Sequence, residues 1–126
     1  MTTLATIVLG KIMFYWFITL VDKAVKFFSK DVNKQTIIKI LDKLSKNKSF
    51  INDVSNNVDV KTGINKTMAD KIVSMTAVQS AINSTITKDE NRKSIETELK
   101  NVFLKAWNDT SIMNPIVSKV KTDMKK

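Results

Sequence analysis

The stretch Leu4–Val21 reads LATIVLGKIMFYWFITLV, eighteen positions interrupted by one charge, Lys11. Ten of those residues are Leu, Ile, Val or Phe. On an insertion scale they contribute roughly −3 to −6 kcal/mol, against about 2.5 to 3.5 kcal/mol lost to a central lysine, and glycine and threonine erode the remainder. The sum lies close to zero, so a single-pass anchor is marginal. At about 1.5 Å per residue the run only just spans a hydrocarbon core of about 30 Å. A helix that is apolar on all sides must nevertheless be buried somewhere, in lipid or among protein neighbours in this chain or in copies of it. Leu4, Ile7, Val8, Lys11, Ile12, Phe14, Tyr15, Trp16, Phe17, Ile18, Leu20 and Val21 therefore form a candidate membrane or assembly helix.

The flanks refine that reading. No basic residue precedes the apolar region and no A-x-A site follows it, which is a poor match to a secretory signal peptide. Phe14, Tyr15 and Trp16 cluster mid-run and not at an interface, so no aromatic belt is formed. Beyond the run, Val25, Phe27 and Phe28 alternate with Lys23, Lys26 and Lys30, as where a helix emerges among headgroups and lysines snorkel. One helix over residues 4–28 is expected. If it spans a bilayer, the positive flank leaves the rest of the chain on the cytoplasmic side.

Residues 31–126 read as a separate basic α-helical domain following residues 1–30, a small bundle of about four amphipathic helices. Asp31 is placed to cap a helix over 32–46 whose stripe is Ile37, Ile40, Leu41 and Leu44. Phe50, Ile51 and Val54 make one or two helical turns before a polar loop ending at Gly63. From Ile64 one long helix is expected, with Asn65 or Thr67 as its cap. Ile64, Met68, Ile72, Met75, Ile82 and Ile86 share a face, and the small residues Ser74, Ala77, Ser80, Ala81 and Ser84 lie opposite, where another helix can approach. Thr87 to Glu90 is a capping box opening a helix over 88–107 with Ile95, Leu99, Val102, Phe103 and Ala106 inward and Trp107 at the edge. Asn114-Pro115 reads as a cap and first helical position for a short basic segment, with Ile116, Val117 and Val120 available for docking.

Of 126 residues, two are glycine, one is proline, and none is cysteine or histidine. So few turn formers argue against a many-stranded sandwich or barrel and for an all-α fold. Disulfides, zinc fingers and thiolate or imidazole catalysis are excluded by residue type. The nine aspartates and three glutamates are spread singly, no phosphate loop is present, and neither a catalytic residue, a metal site nor a cofactor is expected.

The net charge of +9 points to a polyanion or an anionic membrane surface. All basic residues but Arg92 are lysine, which disfavours base-specific readout. Lys93, Lys100, Lys105, Lys119, Lys121, Lys125 and Lys126 are candidates for neutralising phosphates without reading sequence. An abundance of lysine, asparagine and isoleucine also follows from an AT-rich coding bias, which needs no functional cause.

The expected function is non-enzymatic. The first expectation is a small structural or assembly protein, a viral virion or ejection component whose amino-terminal helix packs in a homo-oligomer or larger assembly or enters a membrane. Its expected setting is the virion or a membrane. A membrane-tethered module binding nucleic acid without specificity, and a membrane-permeabilising protein of holin or toxin type, are the alternatives.

Overall fold

The computed structural model describes residues 3–28, 33–58, 63–86 and 91–124. Every regular element among them is helical. Helix α1 is Thr3–Lys23, followed directly by a 3-10 turn at Ala24–Phe27. Then come α2 (Lys34–Ser45), α3 (Lys48–Asn57), α4 (Lys66–Ser74), α5 (Thr76–Thr85), α6 (Arg92–Trp107) and α7 (Thr110–Met124).

The apolar helix is the centre of the bundle. It packs on α2, α3 and α7 together. Met13, Trp16, Phe17, Leu20 and Ala24 recur at the spacing of one helical face and are completely buried. Around them stands an aromatic cluster drawn from three helices. Trp16 lies edge-on to Phe17 at 5.0 Å and to Trp107 at 5.5 Å, and Phe17 meets Phe50 at 5.2 Å and Phe103 at 6.1 Å. Such pairs contribute about 0.5–1.5 kcal/mol each beyond their buried area. Trp16 also leaves its Nε1 without a hydrogen-bond partner, a desolvation cost of about 1–3 kcal/mol set against the burial of its indole.

This arrangement corrects the expectation of a membrane span. Among the described residues no helix is long and apolar enough to cross a membrane. Spanning would also pull Met13, Trp16, Phe17 and Leu20 out of the bundle and turn the core partners they cover, Phe50 and Phe103 among them, toward water, at about 1.5–3 kcal/mol for each such side chain exposed. One hydrophobic core runs across the boundary expected at residue 30, joining Leu9 to Phe27 with Ile37 to Val120.

The helix count is larger than about four because the long helix expected from Ile64 is broken in two and the one or two turns expected at Phe50 to Val54 are the full helix α3, while α7 starts earlier than read. The long helix from Ile64 breaks at Met75, which is extended (φ −63°, ψ 144°) between α4 and α5. Gln79 heals the break: its Nε2 donates to the Val73 carbonyl at 2.7 Å while its Oε1 accepts from Arg92 at 2.9 Å. Helix α7 begins at Thr110, ahead of Asn114-Pro115, because the Asp109 carboxylate accepts the Ser111 amide at 2.9 Å and so caps it. Pro115 then sits inside the helix. Both it and Ser111, whose carbonyl it cannot engage, are exposed, so the missing hydrogen bond falls on the solvent side of the helix.

Other local expectations hold in part: the helix expected over 4–28 ends at Lys23, and α3 runs on through Ser55 to Asn57, where a loop was expected. The stripes of α2 and α6 are buried as read. Asn65 caps α4 by accepting the Met68 amide at 2.9 Å, and Asn47 caps α3 through the Phe50 amide at 3.0 Å. Helix α5 packs on α2, with Ala81 buried. The capping box at 87–90 and the expected cap Asp31 lie outside the described residues; α6 as described starts after Asn91, whose side chain accepts from the amides of Lys93 and Ser94.

Candidate functional site

Helix α1 is apolar all round, yet the fold covers only one side of it. On the other side Phe14, Ile18 and Val25 are 40%, 45% and 54% exposed, the large hydrophobic side chains left open among the described residues. Phe14 and Ile18 lie one turn apart on α1, about 6 Å along its axis, and Val25 follows in the 3-10 turn that continues it. Asp22 is also exposed.

Both ends of this exposed face are held by polar contacts. Near its start the Tyr15 hydroxyl donates to Asp123 of α7 at 3.1 Å, and Lys119 Nζ stands 5.2 Å from the Tyr15 ring. That hydrogen bond to a carboxylate, with burial second, raises the Tyr15 phenol above its ordinary value. At the far end Lys26 pairs with Asp109 at 2.8 Å and donates to Ser111 at 2.9 Å. The Lys26 ammonium, followed by the Ser111 hydroxyl, draws the Asp109 carboxyl down to about 2. Helix α7 is thereby tied to α1 at two points.

Beside this face, a groove of about 570 Å³ opens between α1 and α3, lined by Gly10, Lys11, Phe14, Tyr15, Lys48, Ile51 and Asn52. Its walls are predominantly apolar. Among the described residues neither Lys11 nor Lys48 is held in an ion pair. Gly10, Lys48, Ile51 and Asn52 were not among the residues singled out from the sequence as a site. The available signals were a glycine inside an apolar helix and the one-face spacing of 48, 51 and 52.

The candidate membrane or assembly residues therefore divide. Trp16, Phe17 and Leu20 are core; Val8, Ile12, Tyr15 and Val21 are half-buried against it; Phe14 and Ile18 face outward with half-buried Lys11 on their flank. Leu4 and Ile7 are on the helix, with side chains outside what is described.

The described candidate polyanion lysines have separate surroundings. Lys100 pairs with Asp70 of α4 at 3.3 Å, Lys105 reaches the Phe27 carbonyl at 3.5 Å, and Lys119 lies over Tyr15. Lys93 lines a polar pocket of about 450 Å³ with Asn33, Asn91, Ser94, Thr97, Glu98 and Asn101, where Asn33 donates to Ser94 at 2.7 Å. Lys121 is exposed on α7, and Lys125 and Lys126 lie outside the described residues. Among the described residues no group of three acidic side chains is arranged to hold a metal ion. Compared with protein-family models, curated proteins and solved structures, the chain gives no match.

Proposed function

We propose that this is a non-enzymatic protein that docks reversibly on an anionic membrane surface through the outer face of α1. The observation that carries the reading is the uncovered apolar face of Phe14 and Ile18 on α1, a helix whose other side is the core of the molecule, with Val25 exposed in the 3-10 turn that follows it. A helix presenting such a face lies in the plane of the interface with its apolar side chains at the headgroup–acyl boundary. Lysines on the flank then face phosphates. Lys11 and Lys48 supply cations there, and the net charge of +9 draws the whole chain toward an anionic leaflet.

Magnitude favours lipid over a second copy of the chain. Three half-exposed side chains fall well short of the roughly 800 Å² per partner of a stable protein interface. Two copies meeting there also bring two charges of +9 together. Lipid demands less. Burying the exposed halves of the three side chains adds about 1 kcal/mol each, and each lysine near an anionic surface about 1 kcal/mol, so the total is of order 5 kcal/mol. That is weak, reversible and salt-sensitive binding. Nucleic acid is the poorer partner, because Lys100, Lys105 and Lys119 are engaged within the fold.

Vesicle flotation tests the reading. The full chain should float with phosphatidylglycerol-containing vesicles at low salt, less at high salt, and hardly with phosphatidylcholine alone. Replacing Phe14, Ile18 and Val25 together by Ser should lower the bound fraction by about tenfold or more, with helical circular dichroism unchanged. Loss of flotation in wild type, or a discrete oligomer in sizing that the triple variant disperses, would contradict it.

A further inference from the structure

We propose that the α1–α3 groove is a binding site for a long-chain carboxylate, with the alkyl chain lying along the exposed face of α1 and the carboxylate between Lys11 and Lys48. The inference deepens the membrane reading and rests on it for the source of such an amphiphile, namely the lipid surface on which the face docks.

Three observations converge on this ligand class. First, the groove is apolar in its walls and cationic at its rim, and its volume of about 570 Å³ lies within the roughly 300–1,000 Å³ of small-molecule sites. An apolar trough with two unpaired ammonium groups complements a molecule with an alkyl chain and a single anionic end. Second, Phe14 belongs both to the groove lining and to the exposed apolar face of α1. From Lys11 to Ile18 is about 10 Å along the helix axis, a suitable run for a chain passing over Phe14. A helical peptide needs anchors over several turns of a longer groove, so the short trough favours a chain over a peptide. Third, Gly10 opens the trough without serving the fold. A glycine inside a helix is destabilising by about 0.8–1.0 kcal/mol relative to alanine, and a Cβ built at Gly10 would meet nothing within 4 Å. No neighbouring helix requires the missing side chain. What its absence provides is space at the groove.

That empty space makes the site testable without damage to the core. Titration with dodecanoate below its micelle concentration, followed by amide NMR, should give saturable shifts centred on residues 10–18 and 48–52. Gly10→Leu should fill the trough and weaken binding at least tenfold, while keeping the native spectrum and melting no lower than wild type. Lys11→Gln with Lys48→Gln should weaken dodecanoate binding about tenfold. This second variant alters side chains outside the core, so the test survives if Gly10→Leu fails to fold. Dodecyltrimethylammonium, with the same chain and a cationic end, should not saturate the site. Absence of dodecanoate binding, shifts centred elsewhere, equal affinity for the cationic probe, or binding that withstands the lysine substitutions overturns the inference. The surface reading fails separately. Wild type that floats on anionic vesicles but ignores dodecanoate refutes the groove site alone, and wild type that binds dodecanoate but does not float refutes surface docking alone.

Discussion

Gly63 illustrates how one residue closes the core. Its φ of +58° is the left-handed conformation that L side chains rarely adopt, and a Cβ there would collide with the indole of Trp107. Trp107 in turn stands edge-on to Trp16, the fully buried indole at the heart of α1. Gly63→Ala combines backbone strain with displacement of Trp107 and is expected to destabilise the protein by about 1–3 kcal/mol, read as a lower urea midpoint with an unchanged slope. Gly10 is the opposite case, a glycine with open space over it. In the sequence Gly63 was legible as the end of a polar loop, but its packing under Trp107 was not, because 44 positions separate the two residues and no local pattern links them.

At the scale of the helices, what was legible depended on whether a boundary is set locally. Ile37, Ile40, Leu41 and Leu44, and likewise Ile95 through Ala106, announced α2 and α6 by period alone, and both stripes are buried. The break at Met75 carries no glycine or proline and is stabilised from outside by Gln79 and Arg92, so periodicity ran straight through it. Pro115 misled for a related reason: the Asp109 carboxylate starts α7 five residues earlier than a proline at the first position would imply. That same carboxylate makes the junction pH-sensitive. Its acidity is enhanced in the fold, chiefly by Lys26, to a value of about 2 against an ordinary 3.8. Its contribution to stability is therefore complete above the unfolded value, about pH 4, and is lost as pH falls toward 2. Asp109→Asn should be less stable than wild type at neutral pH, with the gap between the two urea midpoints closing over that acid window. A gap constant from pH 6 to pH 2 would show that the Lys26 pairing does not tie α7 to α1.

For the whole molecule, an α1 apolar on every side implied a buried helix, but the sequence could not say which half the chain itself would cover. Only the packing of α2, α3 and α7 divides it into a core half, with Met13, Trp16, Phe17 and Leu20, and an outer half with Phe14 and Ile18, followed by exposed Val25 in the 3-10 turn. The groove was illegible for the same reason, since Lys48 and Ile51 meet Gly10 and Lys11 only once α3 lies beside α1. On the proposed function, α1 works in place, holding the bundle with one face and offering the other to a lipid surface. The chain has no cysteine, so a single introduced one is a unique labelling site. The decisive measurement is the accessibility of a nitroxide at Ile18→Cys to lipid-soluble oxygen and to a water-soluble nickel chelate on phosphatidylglycerol-containing vesicles, beside labels at Phe14→Cys, Val25→Cys and the α7 position Lys121→Cys. Docking of the intact bundle predicts shallow, similar depths at 14, 18 and 25 and a water-exposed label at 121. Labels at 14, 18 and 25 that stay in water, or depths that progress steadily from 14 to 25 as along a spanning helix, would contradict it.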